Sequence, residues 1–205
     1  TEAVLASGVK RVIVGCTDPN PVVAGRGIRL LREKGLEVVA GVLRGECERQ
    51  NEVFFHFMRT KLPFTVLKYA MTLDGKTATV SGKSQWITGE AARKRVHEDR
   101  GRYMAILTGV STVLADNPQL TCRIPGGKNP IRVIADTKLR TPLSSTVVQT
   151  ARETPTWIVT AVSDAGRKKA YEDACTRFTS PAFKNDHASV PPLSTIMQID
   201  RKSTR

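Results

Sequence analysis

The sequence predicts an α/β fold. Short β-branched runs such as "VKRVIVGCTD" (9–18), "LEVVAGV" (36–42) and "IRVIADT" (131–137) read as strands. Segments with apolar residues at helical spacing separate them. The composition, 40% hydrophobic and 25% charged, is that of an ordinary globular chain of 205 residues.

The first run is expected to be a buried strand that ends in turn residues. "DPNP" (18–21) must be a loop, because its two prolines cannot donate to a ladder. A helix is expected over 25–35, with Ile28, Leu31 and Arg32 at helical spacing and Gly35 just past its end. The strand 36–42 leads to a second helix over 45–61, which gathers Cys47, Phe54, Phe55 and Met58 on one broad face. Four elements in about 60 residues bury too little surface to stand alone. This β-α-β-α segment is therefore expected to belong to a larger domain or to dock on the rest of the chain.

Pro63 marks the boundary. "FTVLKYAMTLDGKTA" (64–78) reads as a strand, with a second strand folding back after Asp74-Gly75. Residues 89–104 read as a helix with Thr88 as N-cap and Glu90 in the first turn, where acids are favoured. Ala92, Val96, Arg100 and Tyr103 share one face of it. A strand (103–108) then feeds a short helix that Asn117-Pro118 ends. Strands over 131–137 and 154–162 and a helix over 166–175 complete the pattern. From residue 176 on, prolines 181, 191 and 192 and many Ser and Thr leave no period, so an irregular tail is expected. The expected division is 1–62, 63–175 and 176–205.

A net charge of +13 raises the prospect of nucleic acid. No long Lys/Arg block accompanies it, and aromatic residues make up only 5% of the chain, so the stacking platform of a single-strand binder is missing. An anionic small molecule suits the charge at least as well. No apolar run reaches the roughly 18 residues of a membrane span. Cys16, Cys47, Cys122 and Cys175 are far apart and read as reduced thiols of a cytoplasmic protein. His56, His97 and His187 have no metal spacing and default to exposed histidines.

"TLDGKTATVSGKSQW" (72–86) contains Gly-Lys-Thr and Gly-Lys-Ser, the ending of a phosphate-cradling loop. Such a loop needs a glycine five residues earlier, where this chain has Ala70 and Thr77, so a triphosphate site is excluded. Neither Gly-x-Ser-x-Gly nor Gly-x-Gly-x-x-Gly occurs. Three residues stand out. Arg100 on an apolar face must snorkel, pair or meet an anion. Asp116 sits where the helix macrodipole disfavours an acid. Lys68 interrupts an apolar strand, on a solvated face or as a catalytic ammonium.

"DPNPVVAGRG", "LKYAMTLDGKTA", "SGKSQWITGEAAR", "VLADNPQLTCR" and "IRVIAD" occur in this order. Together they resemble the consecutive signatures of the bifunctional riboflavin-biosynthesis deaminase/reductase family over residues 9–174. The resemblance implies a partial cytidine-deaminase-like β-α-β-α segment up to about residue 61. The zinc-binding His-x-Glu and Pro-Cys-x-x-Cys motifs of that domain do not occur, so no zinc and no deamination are expected. From Phe64 it implies an incomplete dihydrofolate-reductase-like mixed sheet with flanking helices. In that family this part reduces the ribose of 5-amino-6-(5-phosphoribosylamino)uracil to ribitol with NADPH. The resemblance assigns Ser84, Arg100, Leu120 and Arg123 to the substrate phosphate and Ala70, Trp86, Thr112, Asp116 and Thr137 to the cofactor. It places Lys68 beside the reacting sugar as the catalytic residue.

The partner implied is a phosphoribosyl pyrimidine, with no nucleic acid, no membrane, and a homo-oligomer as the assembly. The family's Val-Glu-Gly-Gly strand has no match in residues 176–205. Replaced or out-of-frame sequence after Ala174 and weakened or lost NADPH binding are therefore expected. The alternative is an inactive phosphate- or nucleotide-binding remnant.

Overall fold

The computed structural model describes residues 1–84, 86–174, 176–179 and 194–198. The chain divides into two compact units, Thr1–Phe64 and Thr65–Arg205.

The first unit runs α1 (Glu2–Ala6), β1 (Arg11–Val14), α2 (Arg26–Glu33), β2 (Glu37–Ala40), α3 (Arg44–Gln50) and α4 (Glu52–Thr60). The two strands pair in parallel, with Val12 opposite Val38 and Ile13 opposite Val39. α2 ends as its sequence predicts. Gly35 adopts φ +84, its amide reaches Arg32 O at 2.9 Å, and Leu36 N reaches Leu31 O at 3.1 Å. A side chain would resist that left-handed backbone, and glycine does not. Two expectations need correction. β1 is not a buried strand, because its residues alternate between exposed and half-buried. The single helix over 45–61 is two helices: Asn51 leaves helical dihedrals at φ −111 and ψ 24, and its Nδ2 donates to Cys47 O at 2.9 Å. Asn competes for backbone partners in this way, and the chain breaks there.

Within the second unit lies a six-stranded sheet in the order β3-β8-β4-β5-β6-β7. Its members are β3 (Phe64–Lys68), β4 (Ala105–Gly109), β5 (Ile131–Ala135), β6 (Thr156–Val159), β7 (Thr176–Thr179) and β8 (Ser194–Gln198). The β8-β4, β4-β5, β5-β6 and β6-β7 pairings are all parallel. Parallel strands covered on both faces become continuous apolar runs, as "AIL" in β4 and "VIA" in β5 show. Among the described residues four helices alternate with the strands: α5 (Glu90–Arg102), α6 (Val110–Asp116), α7 (Thr146–Gln149) and α8 (Ala165–Asp173). Ile106, Ile134 and Ile158, all at most 1% exposed, form the centre of the core, with Val113, Leu120 and Val147 around them.

β7 and β8 lie in the stretch expected to be irregular; the remainder of that tail and His187 lie outside the described residues. The strand expected to fold back after Asp74-Gly75 is absent among the described residues. Two copies of one turn occupy the place. Thr72 N donates to Lys76 O at 2.8 Å and Thr79 N to Lys83 O at 2.8 Å, while each Thr Oγ1 accepts the Lys amide of its own turn at 3.0 Å. Gly75 and Gly82 hold φ +79 and +81. In each turn the Thr hydroxyl also bonds the side chain two positions on, Asp74 in the first and Ser81 in the second. The Gly-Lys-Thr and Gly-Lys-Ser repeats therefore encode two Thr-anchored turns seven residues apart. Thr88 does not cap α5. Gly89 occupies the N-cap position, and no side chain caps it.

Candidate functional site

The end of β3, the twin-turn segment, α5, α6 and the strap after α6 surround one open cleft of about 860 Å³. Lys68 enters it from β3. The strand alternates, so Lys68 shares the half-buried side with Phe64 and Val66. Ala70, Ser84 and Trp86 line it from the turn segment. α5 contributes Arg93, Lys94, His97 and Arg100, and α6 contributes Thr112 and Asp116. Arg123 and Ile124 close the cleft from the strap.

Two of the ten expected residues lie elsewhere. Leu120 is 2% exposed and packs in the hydrophobic core, its backbone in the left-handed region at φ 56. The core accepts its side chain, and that anchors the strap. Thr137 is exposed at the end of β5, where its carbonyl accepts from Ala161 N at 3.1 Å and Thr160 Oγ1 at 3.2 Å.

Three buried polar atoms on the cleft wall have no hydrogen-bond partner among the described residues: Ser84 Oγ, Arg100 Nε and Thr112 Oγ1. Leaving a buried donor unmade costs about 1–3 kcal/mol, so such atoms usually await a ligand or water. Arg100 is the strongest case. Burial first, and the neighbouring Arg123 charge second, push its pKa down to about 10. It still carries its charge at neutral pH, and its Nη1 donates to Thr121 O at 3.1 Å. The remaining donors of the fork suit the oxygens of an anion.

Trp86 is 71% exposed, with the Arg93 guanidinium 4.4 Å from its ring centroid. Arg93 is itself fixed by Nη1 donating to Thr88 O at 2.7 Å. One ring face is therefore covered by a cation, and most of the remaining indole surface is exposed.

Sequence reasoning misses Arg93 and His97. His97 is half-buried rather than exposed, and its Nδ1 accepts the Arg123 amide at 3.2 Å. A signal is present: 93, 97 and 100 stand at i, i+4 and i+7, one helical face. The apolar face expected through Ala92 is not buried, and α5 has no fully buried residue. Among the described residues, no group of three His, Cys, Asp or Glu side chains can hold a metal ion, and no helix is long and apolar enough to cross a membrane.

Residues 63–188 match the model of the RibD C-terminal domain. The match runs past Ala174, where the motif resemblance stops, into the stretch expected to be replaced. The riboflavin biosynthesis protein RibD of Actinobacillus pleuropneumoniae is 52% identical over 164 residues, 80% of this chain and 44% of that protein. Its Bacillus amyloliquefaciens counterpart is 47% identical over 199 residues, 96% of this chain and 53% of the other. The chain thus spans about half the length of these relatives. A Thermotoga maritima structure, described as a diaminohydroxyphosphoribosylaminopyrimidine deaminase/5-amino-6-(5-phosphoribosylamino)uracil reductase, superposes with TM-score 0.80 at 35% identity. The superposition covers 96% of this chain and 56% of that one. Acinetobacter baumannii RibD gives TM-score 0.81 at 30% identity, over 97% and 57%.

Proposed function

The chain belongs to the RibD C-terminal domain family, and on that premise we propose that its cleft reduces the ribosyl group of 5-amino-6-(5-phosphoribosylamino)uracil to the ribityl form in riboflavin biosynthesis. The observation that carries the proposal is the convergence of three unpartnered buried polar atoms and several cations on one cleft. That donor set fits a sugar phosphate together with a nicotinamide cofactor.

Arg100, Arg123 and Ser84 bind the substrate phosphate. Two guanidinium groups hold its oxygens, and the Ser84 hydroxyl completes the cage. Ala70, Trp86, Thr112 and Asp116 hold NADPH, which when bound supplies the hydride. Lys68 faces the sugar. Its ammonium polarises the carbonyl oxygen and gives up a proton to it as the alcohol forms. The anchored strap keeps the phosphate end in register with Lys68.

Finer assignments belong to the same reading. Residues 1–62 are the C-terminal part of a cytidine-deaminase-like domain without its zinc ligands, and the sheet that follows, β7 and β8 included, carries the reductase fold. The partner is a small phosphoribosyl pyrimidine, with a homo-oligomer as the working form. NADPH affinity is weakened or lost because no counterpart of the family's Val-Glu-Gly-Gly strand occurs in residues 176–205.

Substrate-dependent loss of NADPH absorbance tests the proposal. Turnover that vanishes in Lys68→Ala while the fold persists is the expected result. Absent turnover with sugar-phosphate binding intact favours a phosphate-binding remnant instead.

A further inference from the structure

The strap that carries Arg123 has its own fastening to α5. Thr121 O accepts from Arg100 Nη1 at 3.1 Å, Cys122 Sγ donates to His97 O at 3.2 Å, and Arg123 N donates to His97 Nδ1 at 3.2 Å. On its other side Cys122 N donates to Asn129 Oδ1 at 3.0 Å. Of these bonds only the one to His97 Nδ1 fixes the backbone of Arg123 itself. Without it, exposed Arg123 would be held only through its neighbour Cys122.

We infer that His97 is a positioning residue: its unprotonated Nδ1 accepts the Arg123 amide and so aims the Arg123 guanidinium at the phosphate of the ligand. The inference rests on the reading of Arg123 as a phosphate ligand. Nδ1 can accept only when it carries no proton, so the neutral imidazole with the proton on Nε2 is the working form. The surroundings favour that form. Burial lowers the His97 pKa first, and the Arg100 and Arg123 charges lower it further, against the opposing pull of the Thr121 carbonyl. The other charged groups that line the same cleft are Glu90, Arg93 and Lys94 on its own helix, with Lys68 on β3 and Asp116 on α6. Protonation removes the acceptor and frees the Arg123 amide from α5, while Thr121 and Cys122 keep their own bonds. It also adds a cation near the anion site, so the tether must be read separately from the affinity.

Asparagine places Oδ1 near the position of histidine Nδ1 and accepts at any pH, whereas alanine cannot accept. The test uses the full chain and ribose 5-phosphate as probe. The Arg123 amide is followed by NMR hydrogen exchange and affinity by titration calorimetry at neutral pH. The expected result is an Arg123 amide protected in the wild type and in His97→Asn but not in His97→Ala. Ribose 5-phosphate affinity should fall about tenfold in His97→Ala and stay within about twofold in His97→Asn. In the wild type, protection is also lost as pH falls below the ordinary imidazole range, and His97→Asn keeps it.

Equal affinity in wild type and His97→Ala overturns the inference and leaves the phosphate reading standing. Failure of the asparagine variant to rescue also overturns it, because a packing role alone would then account for the loss. If the wild type binds no ribose 5-phosphate although the Arg123 amide is protected, the phosphate reading fails and the inference falls with it.

Discussion

Arg132 and Arg100 both have their pKa pushed down to about 10 by burial, and both hold the same strap. Arg132 Nη1 donates to Gln119 O at 3.1 Å and Arg100 Nη1 to Thr121 O at 3.1 Å. Beyond that they differ. Arg132 is fully buried in β5, and every nitrogen of its guanidinium is engaged. Nε reaches Thr156 Oγ1 at 2.9 Å and Nη1 reaches Thr150 Oγ1 at 2.8 Å. Nη2 reaches the carbonyls of Thr154, Val147 and Thr150 at 2.8, 3.0 and 3.1 Å. Arg100 leaves Nε unmade on a cleft wall. A buried cation whose donors are all matched by the fold is a structural hub, and one with donors to spare is built for a ligand. The pKa alone does not separate them; the inventory of partners does.

Substitutions can break this distinction between the two arginines. Arg132→Met should cost the most, about 4 kcal/mol, because it strands carbonyls and hydroxyls in the core. A urea-unfolding midpoint close to wild type would show that the network is dispensable. Arg100→Met should leave the unfolding free energy within about 1 kcal/mol of wild type yet weaken ribose 5-phosphate about a hundredfold by calorimetry. If it unfolds the chain as badly as Arg132→Met, the distinction between hub and ligand site fails.

Gly127→Ala sharpens the role of the strap. A Cβ there would collide with Cys122 Sγ, lie 2.8 Å from Ile124 Cγ1 and 3.1 Å from Ile124 O. Overpacking of this kind costs about 2 kcal/mol. It should also weaken ribose 5-phosphate, whereas loss of stability with unchanged affinity would detach the strap from the site.

Thr112→Val removes a buried hydroxyl with no partner among the described residues, at nearly constant shape. Thermal stability should hold or rise by up to about 1 kcal/mol while NADPH affinity falls a few-fold. A clear loss of stability would mean that the hydroxyl has a structural bond. The smallest effect concerns His97. Its folded pKa is depressed, so its contribution to stability is complete above the unfolded value of about 6.5 and is lost as pH falls through the folded value. Wild-type stability should therefore decline over that window more than that of His97→Asn, measured by unfolding across pH.

Much of the secondary structure is legible in the sequence. β4, β5, β6, α2, α5, α6 and α8 fall where β-branched runs, helical spacing, Gly35 and Asn117-Pro118 place them. The Gly-Lys repeats are turns rather than a nucleotide loop, as the missing glycines require, though the strand expected between them is absent among the described residues. The break at Asn51 is not legible, because apolar spacing continues through it and only a side-chain bond to Cys47 O decides the matter. In the site, Arg100, Arg123, Ser84, Trp86 and Lys68 all line the cleft, and their motifs single them out. Leu120 does not, because a motif position cannot say whether a side chain faces the cleft or the core.

By itself the sequence determined the α/β class, the family and most of the residues that gather in one cleft, because periodicity, turn chemistry and ordered motifs are local properties of the chain. Tertiary structure alone decided that Arg132 is satisfied and Arg100 is not. It also decided that His97 turns inward to hold the strap and that Leu120 turns away. Those outcomes depend on which carbonyls and hydroxyls distant segments bring within about 3 Å of a donor, and no local pattern encodes that.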